Sequence, residues 1–272
     1  MNKTDIEWAD YTWNPVTGCL HGCSYCYANR QAARFSGYDP CYNASFDFEG
    51  GCHTIKKAMK KRGADGKVRT APYPFGFEPT FHSYKLDEPA RKKASATIFV
   101  CSMADLFGEW VPDEWIKSVF QACEAAPQHT YMFLTKNPGR YLMLAYRGAL
   151  PQGENYWWGA TITNQSEYNS KGITLLNLPE SHRTFFSIEP IHEPIEMGLM
   201  PNWIIMGAET GNRKNKIKPQ REWIEDIVRR CVAESIFMKD SLTSIVGEQN
   251  MIREFPEEFR RAMSLKQKGR KK

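Results

Sequence analysis

Six short, nearly continuous apolar runs recur along the second two thirds of the chain, and they restrict its fold more than any other feature. They are Thr97-Ile98-Phe99-Val100, Thr130-Tyr131-Met132-Phe133-Leu134, Tyr156-Trp157-Trp158-Gly159-Ala160-Thr161-Ile162, Arg183-Thr184-Phe185-Phe186-Ser187-Ile188, Trp203-Ile204-Ile205-Met206 and Ser235-Ile236-Phe237-Met238. A strand that is apolar at successive positions, not at every second one, is buried on both faces, as in a parallel sheet covered by helices. Helical patterns lie between the runs. Trp115, Ile116, Val119, Phe120 and Cys123 share one helix face, and Trp223, Ile224, Ile227, Val228 and Cys231 repeat that spacing. Asn164-Gln165-Ser166-Glu167 has the form of a capping box, and Pro112, Pro138 and Pro219 stand at expected helix starts.

Alternating strands and helices specify either a barrel or a doubly wound sheet. Weaker strands at Trp8–Trp13 and Thr80–His82 bring the count to about eight, and no glycine-rich phosphate loop follows the first strand. The expected fold is therefore α/β: a TIM-like (β/α) barrel, complete or partial, with mainly parallel strands. One domain spans residues 1–262 and a basic tail follows at 263–272. Residues 36–79 form an irregular insertion rich in glycine, proline and aromatics, with a short helix expected at Lys56–Lys61.

At 272 residues, 42% hydrophobic and 13% aromatic, the chain has ample material for one large core. No stretch reaches the roughly 18 apolar residues of a membrane span, and Met1-Asn2-Lys3-Thr4-Asp5 is no signal peptide. A soluble, cytoplasmic protein is expected, in which eight cysteines are thiols or metal ligands and not a disulfide framework. Cys41, Cys52 and Cys101 are expected as buried free thiols. The net charge of +5 equals the five cations of the tail (Lys266, Lys268, Arg270, Lys271 and Lys272), so the body is neutral. A second basic cluster runs from Lys56 to Arg69. Both clusters suit phosphates; a solvated face is the plainer alternative.

The remaining cysteines carry the chemistry. Cys19, Cys23 and Cys26 stand at spacing C-x3-C-x2-C in one loop, entered through Asn14-Pro15-Val16-Thr17-Gly18. Three thiolates there can hold three irons of a [4Fe–4S] cube and leave the fourth iron without a protein ligand, unlike the four-cysteine ligation of electron carriers. Good helix formers follow from Tyr27 to Phe35. A helix starting there aims free N–H groups at an anionic cluster. The alternative is a structural zinc site in a non-enzymatic nucleic-acid or protein interaction module, with Cys41, Cys52 or His53 completing the ligands.

The cysteine spacing, with Tyr25 just before the last thiol, resembles the signature of the radical S-adenosylmethionine (SAM) superfamily. The chain further resembles a phage- and prophage-associated radical SAM family of unknown substrate. The matching segments are Thr12-Trp13-Asn14-Pro15, the cysteine loop, Ser102-Met103-Ala104-Asp105-Leu106-Phe107, Leu134-Thr135-Lys136, Ser187-Ile188-Glu189-Pro190 and Trp203-Ile204-Ile205-Met206-Gly207-Ala208-Glu209. The likeness covers most of residues 4–240 and lapses in the 36–79 insertion and the tail. The Gly-Gly-Glu element that many superfamily members carry after the second strand is absent near His82.

The resemblance implies a [4Fe–4S] cluster and SAM as cofactors, with SAM's amino and carboxylate groups on the open iron. It also implies a low-potential electron donor as partner. Reductive cleavage then gives methionine and a 5′-deoxyadenosyl radical that abstracts hydrogen from substrate. In a barrel the partners for SAM come from the carboxyl ends of strands. Lys136 suits the SAM carboxylate, Ser102 and Asp105 its ammonium, and Asn164 and Glu189 the ribose hydroxyls. Tyr25 offers a wall for adenine, and Glu209 faces SAM or substrate. A nucleic acid or nucleotide substrate is expected through Lys56–Arg69, the tail, and insertion aromatics (Phe46, Phe48, Tyr73, Phe75 and Phe77) that can stack on bases.

Overall fold

The computed structural model describes residues 1–43, 45–257 and 259; the expected basic tail lies outside them. The chain opens with β1 (Asn2–Lys3), β2 (Tyr11–Trp13) and β3 (Val16–Thr17), followed by the cysteine loop and α1 (Tyr27–Arg34). The insertion contributes β4 (Asp47–Glu49), β5 (Cys52–Ile55), β6 (Lys60–Arg62) and β7 (Val68–Thr70), and β8 (Thr80–His82) and α2 (Glu88–Arg91) follow it. Then come β9 (Thr97–Val100), α3 (Asp113–Glu124), β10 (Thr130–Thr135), α4 (Gly139–Tyr146), β11 (Tyr156–Thr161), α5 (Gln165–Glu167) and α6 (Ile173–Leu176). The chain continues with β12 (Arg183–Ile188), β13 (Trp203–Met206), α7 (Arg221–Arg230), β14 (Ser235–Met238) and α8 (Thr243–Val246).

One large sheet has the order β1-β2-β9-β10-β11-β12-β13-β14, parallel throughout except at β1. Its two faces build separate cores. One face, with Ile98, Phe133, Trp158, Phe186 and Ile204, packs against the helices through Ile116, Val119, Leu144 and Ile224. The other gathers Phe99, Met132, Trp157, Phe185, Trp203 and Phe237 around Trp8 and Phe259. This double burial is why the runs read as continuously apolar. Along the second face the residues turn polar toward the carboxyl ends, where Thr161 and Ser187 stand opposite one another in register. The aromatic cluster is thus the floor of whatever lies at the strand tips.

The sheet is open, as no closing hydrogen bonds join β14 to β1 or β2 among the described residues. The outer edge of β14 is instead covered by the chain's own end, through Met238 N to Ile252 O at 2.8 Å and Glu254 N to Ile236 O at 2.8 Å. Pairing an edge in this way removes a template for aggregation. Arg253 spans the seam, donating to Glu7 at 2.7 Å and also binding Asp240. Among the described residues no helix is long and apolar enough to cross a membrane.

Three local expectations are corrected. Thr80–His82 is not a strand of the large sheet: it lies in a second sheet of order β3-β8-β5-β4, paired between β3 and the insertion's β5, with its three side chains buried. Lys56–Lys61 holds no helix, because Lys60–Arg62 pairs with Val68–Thr70 in a hairpin and strand pairing outweighs local propensity. Cys41 is exposed, in a surface turn at Pro40–Tyr42, whereas Cys52 and Cys101 are buried. The insertion's aromatics mostly build a satellite core. His53 stacks on Phe75 with ring centroids 3.7 Å apart, Phe46 lies against both, and Phe48 remains exposed.

Candidate cofactor and active site

The cysteine loop crosses the carboxyl ends of β9 and β10. Gly18, at φ +90°, starts it where a Cβ would stand 2.2 Å from the Glu78 carbonyl oxygen, so no side chain fits. Its N–H donates to Met103 O at 2.9 Å and that of Cys19 to Phe77 O at 3.1 Å, tying the loop to its neighbours. Cys26 caps α1, its sulfur accepting from Asn29 N at 3.3 Å. All three thiols are free and half-buried, and all three line one cavity of about 290 Å³.

The near wall of this cavity is locked by hydrogen bonds. Buried Asp105 accepts from His21 Nε2 and Thr135 Oγ1, both at 2.7 Å, from Lys136 N at 2.9 Å and from Phe107 N at 3.0 Å. Burial alone raises the Asp105 pKa, but the hydrogen bonds from His21, Lys136 N and Thr135 outweigh it and hold the carboxyl below its usual range. His21 belongs to the cysteine loop, so Asp105 pins that loop to the ends of β9 and β10. Cys101 has φ +57°, a strained value for a side-chain-bearing residue, and its N–H is held by Trp13 O at 2.8 Å. Beyond it, Ser102 faces the cavity, with Ser102 Oγ and Met103 N donating to Asn14 Oδ1 at 3.3 and 3.0 Å. Lys136 Nζ donates to Tyr25 Oη at 2.8 Å. Burial lowers the Lys136 pKa, opposed by the neighbouring Cys23 and Glu167; burial raises that of Tyr25, and Cys23 adds to the rise.

The far wall, from β11 to β14, is different. Thr161 and Ser187 line the cavity with hydroxyls that have no hydrogen-bond partner among the described residues. Glu189 accepts from Lys239 Nζ at 2.6 Å, across Gly207. A Cβ on Gly207 would lie 2.9 Å from Glu189 Oε1 and 3.1 Å from Lys239 Cδ, so its bare backbone makes room for the pair. Glu209 receives a bidentate bond from Arg213 at 2.7 and 2.6 Å, whose hydrogen bonding lowers its pKa.

Of the residues expected from sequence, Cys19, Cys23, Cys26, Tyr25, Ser102, Asp105, Lys136, Glu189 and Glu209 all line this one cavity. Asn164 does not: its side chain caps α5 by accepting from Glu167 N at 2.9 Å. The cavity also takes in His21, Arg30, Thr161, Ser187 and Lys239, which the strand-end reading left without a role. Ser187 and Lys239 were legible as strand-end polar residues, while Arg30, on the exposed side of α1, carried no signal.

Among the described residues no three His, Cys, Asp or Glu side chains lie close enough to hold a single metal ion. A [4Fe–4S] cube takes one thiolate on each of three separate irons and needs no convergence on a point. The fourth donors considered for zinc are engaged elsewhere or exposed. Cys52 Sγ donates to Trp110 O at 3.2 Å, His53 bonds Glu78 at 2.6 Å, and Cys41 faces solvent.

A family model described as a protein of unknown function (DUF5131) matches residues 3–240. No curated protein matches the chain. Solved structures with some likeness include spore photoproduct lyase complexed with dinucleoside spore photoproduct, at 10% identity and a TM-score of 0.46, over 84% of this chain and 62% of that one. A tyrosine-to-phenylalanine mutant of the same lyase gives 11% identity and a TM-score of 0.46, over 85% and 64%. The chain thus spans less than two thirds of the length of those lyase chains.

Proposed function

This chain belongs to the DUF5131 family, and we propose that it is a radical SAM enzyme holding a [4Fe–4S] cluster through Cys19, Cys23 and Cys26. The observation that carries this reading is the gathering of three free, half-buried thiols on the cavity that also collects Tyr25, Lys136, Glu189 and Glu209. The donor chemistry fits: burial pushes the Cys19 thiol up to about 12, a cost that ligation to a cation offsets, since metals bind the thiolate. When bound there and reduced by an external low-potential donor, the cluster would pass on the one electron whose transfer to SAM yields methionine and a 5′-deoxyadenosyl radical.

The chain's own residues bind, orient and exclude water. Lys136 offers a charge-assisted bond to the SAM carboxylate, and Tyr25 forms part of the wall for adenine. Glu189 with the free hydroxyls of Thr161 and Ser187 suits the ribose and the group to be abstracted from. Asp105 acts through His21 as a positioning residue, because its acceptor sites are already taken. Trp8, Phe99 and Leu134 floor the cavity and keep water from a radical. The reading also takes in a low-potential electron donor as partner. The reading includes the likeness to the phage- and prophage-associated radical SAM family, a cytoplasmic setting that keeps thiols reduced, and a nucleic acid or nucleotide as substrate.

Anaerobic reconstitution with iron and sulfide, followed by dithionite and SAM, tests it. The expected result is visible iron–sulfur absorption and 5′-deoxyadenosine, both abolished by Cys19→Ala, Cys23→Ala or Cys26→Ala. A colourless protein that binds one zinc through the same thiols would establish the interaction-module reading in its place.

A further inference from the structure

We propose that the loop from Arg213 to Lys218, together with Arg30, is the phosphate-binding rim of the cavity and takes the backbone of a polynucleotide. The inference rests on the proposed function only in identifying the cavity as the reaction site. Position comes first. The loop leaves the sheet through Ala208, Glu209 and Thr210, all of which line the cavity. Arg30 lines it from α1 and approaches the same loop, its guanidinium 3.8 Å from where a Gly211 Cβ would stand. The bidentate Glu209–Arg213 pair anchors the loop's first turn at the cavity edge.

Charge comes second. Arg213, Lys214, Lys216 and Lys218 stand within six residues with no acidic residue among them. Lys214 and Lys218 are exposed and have no ion pair or side-chain hydrogen bond among the described residues, and exposed Lys216 gives one of its three N–H donors to the Gly211 carbonyl at 3.0 Å, which leaves two for a phosphate. Cations spread along a segment match a row of phosphates better than one small anion. The insertion's basic cluster is more committed. Lys56 pairs with Asp47 and Arg69 with Asp65, Arg62 binds the Tyr42 hydroxyl, Lys60 donates to Thr70 Oγ1 and Lys61 to the carbonyls of Phe35 and Ser36, so that of its seven cations Lys57 and Lys67 alone have no side-chain partner among the described residues.

Access comes third. A cleft of about 780 Å³ adjoins the cavity and shares Ile6, Tyr27, Ser102, Thr210 and Lys239 with it. It is also lined by Glu7 and Asp240, the two carboxylates that Arg253 bridges, so it lies at the unclosed seam of the barrel. Thr210, where the cationic loop begins, is on its wall. A strand with its phosphates along the loop is therefore placed to send one nucleoside through the seam toward the cavity, as enzymes that act on bases require.

The test uses the full-length reconstituted protein, with labelled single- and double-stranded DNA and RNA oligonucleotides titrated across a salt series. The triple variant Lys214→Ala, Lys216→Ala, Lys218→Ala removes three phosphate contacts. On a single strand its log–log salt slope should be shallower by about 2, with affinity at low salt down tenfold or more. The double variant Lys57→Ala, Lys67→Ala, in the insertion, should bind within about twofold of the parent. Unaltered visible absorption and melting temperature in the triple variant show that the loss is not misfolding. Parent-like binding by the triple variant overturns the rim, as does a loss that follows the insertion variant, or no oligonucleotide bound at low salt. Loop-dependent binding by a protein that forms no 5′-deoxyadenosine leaves the rim standing and overturns the radical reading instead.

Discussion

The two walls of the cavity are built from the same strand-tip positions yet differ in what their polar groups do. On the near wall Asp105 has four donors, Asn14 has two, and Lys136 is bonded to Tyr25, so these side chains satisfy one another. On the far wall each carboxylate has a single basic partner, Lys239 for Glu189 and Arg213 for Glu209, and two hydroxyls have none among the described residues. A group with saturated partners can only position, since breaking its bonds strands buried donors. A group with one partially solvated partner can exchange it for a ligand. The near wall is therefore the frame for the cysteine loop, and in the proposed function the far wall is the face left open to substrate and to the part of SAM that Lys136 and Tyr25 do not reach.

The largest expected effect tests the frame. Asp105→Ala strands Thr135 Oγ1, His21 Nε2 and two backbone N–H groups, and should destabilise the protein by about 3–5 kcal/mol. Iron retention after reconstitution should fall with it. Denaturant unfolding and iron analysis check both; a loss below about 1 kcal/mol would put the two walls on the same footing. The same carboxylate sets an acid limb. Its folded pKa lies below the 3.8 of a free aspartate carboxyl, so its stabilisation is fully present above that value and is lost as pH falls through the folded one. Unfolding midpoints of the metal-free protein measured downward from about pH 6 should show this drop. Asp105→Asn, which cannot titrate, should show a shallower one.

Next in size is Lys136, the residue of the near wall that has charge to offer. Replacing it by Ala removes a charge-assisted bond of about 1.5–3 kcal/mol, so SAM affinity should fall roughly tenfold or more while the iron content is retained. Equal SAM binding in parent and variant would assign the carboxylate to another cation, with Lys239 the nearest alternative.

Periodicity and strand-end position made the large parallel sheet legible, because double burial writes itself into sequence as continuous apolar runs. The helix faces at Trp115–Cys123 and Trp223–Cys231 were legible for the same reason, and the convergence of strand ends on one side made most of the cavity lining readable. The insertion was not. Its short strands pair across long separations, so nothing local marks Lys60–Arg62 as a strand or assigns Thr80–His82 to the smaller sheet. Asn164 shows a second limit: its capping-box spacing and its place after a strand pointed to two roles, and the side chain takes the cap, accepting from Glu167 N. Nor could strand order alone tell a closed barrel from an open one, since closure depends on whether β14 meets β1 or the chain's own end.

The smallest effect on stability, and the sharpest separation of the walls, is expected at Glu189 and Lys239. The pair is held at 2.6 Å with side chains 25% and 20% exposed, across a glycine, so neither is buried enough for its loss to strand an uncompensated charge. A double-mutant cycle with Glu189→Gln and Lys239→Met should give a coupling on stability of about 0.2–1 kcal/mol, the range of partly solvated ion pairs. SAM binding should respond more than stability does. Glu189→Gln weakens an acceptor for the ribose hydroxyls and should cost several-fold in affinity. Lys239→Met frees the carboxylate from its competitor and should recover part of that acceptor strength, so the two variants should move SAM affinity in opposite directions. A coupling on stability above about 2 kcal/mol, with SAM affinity unmoved in both variants, would mean that the far wall is locked like the near one. The ligand-binding role would then fall to Thr161 and Ser187 alone.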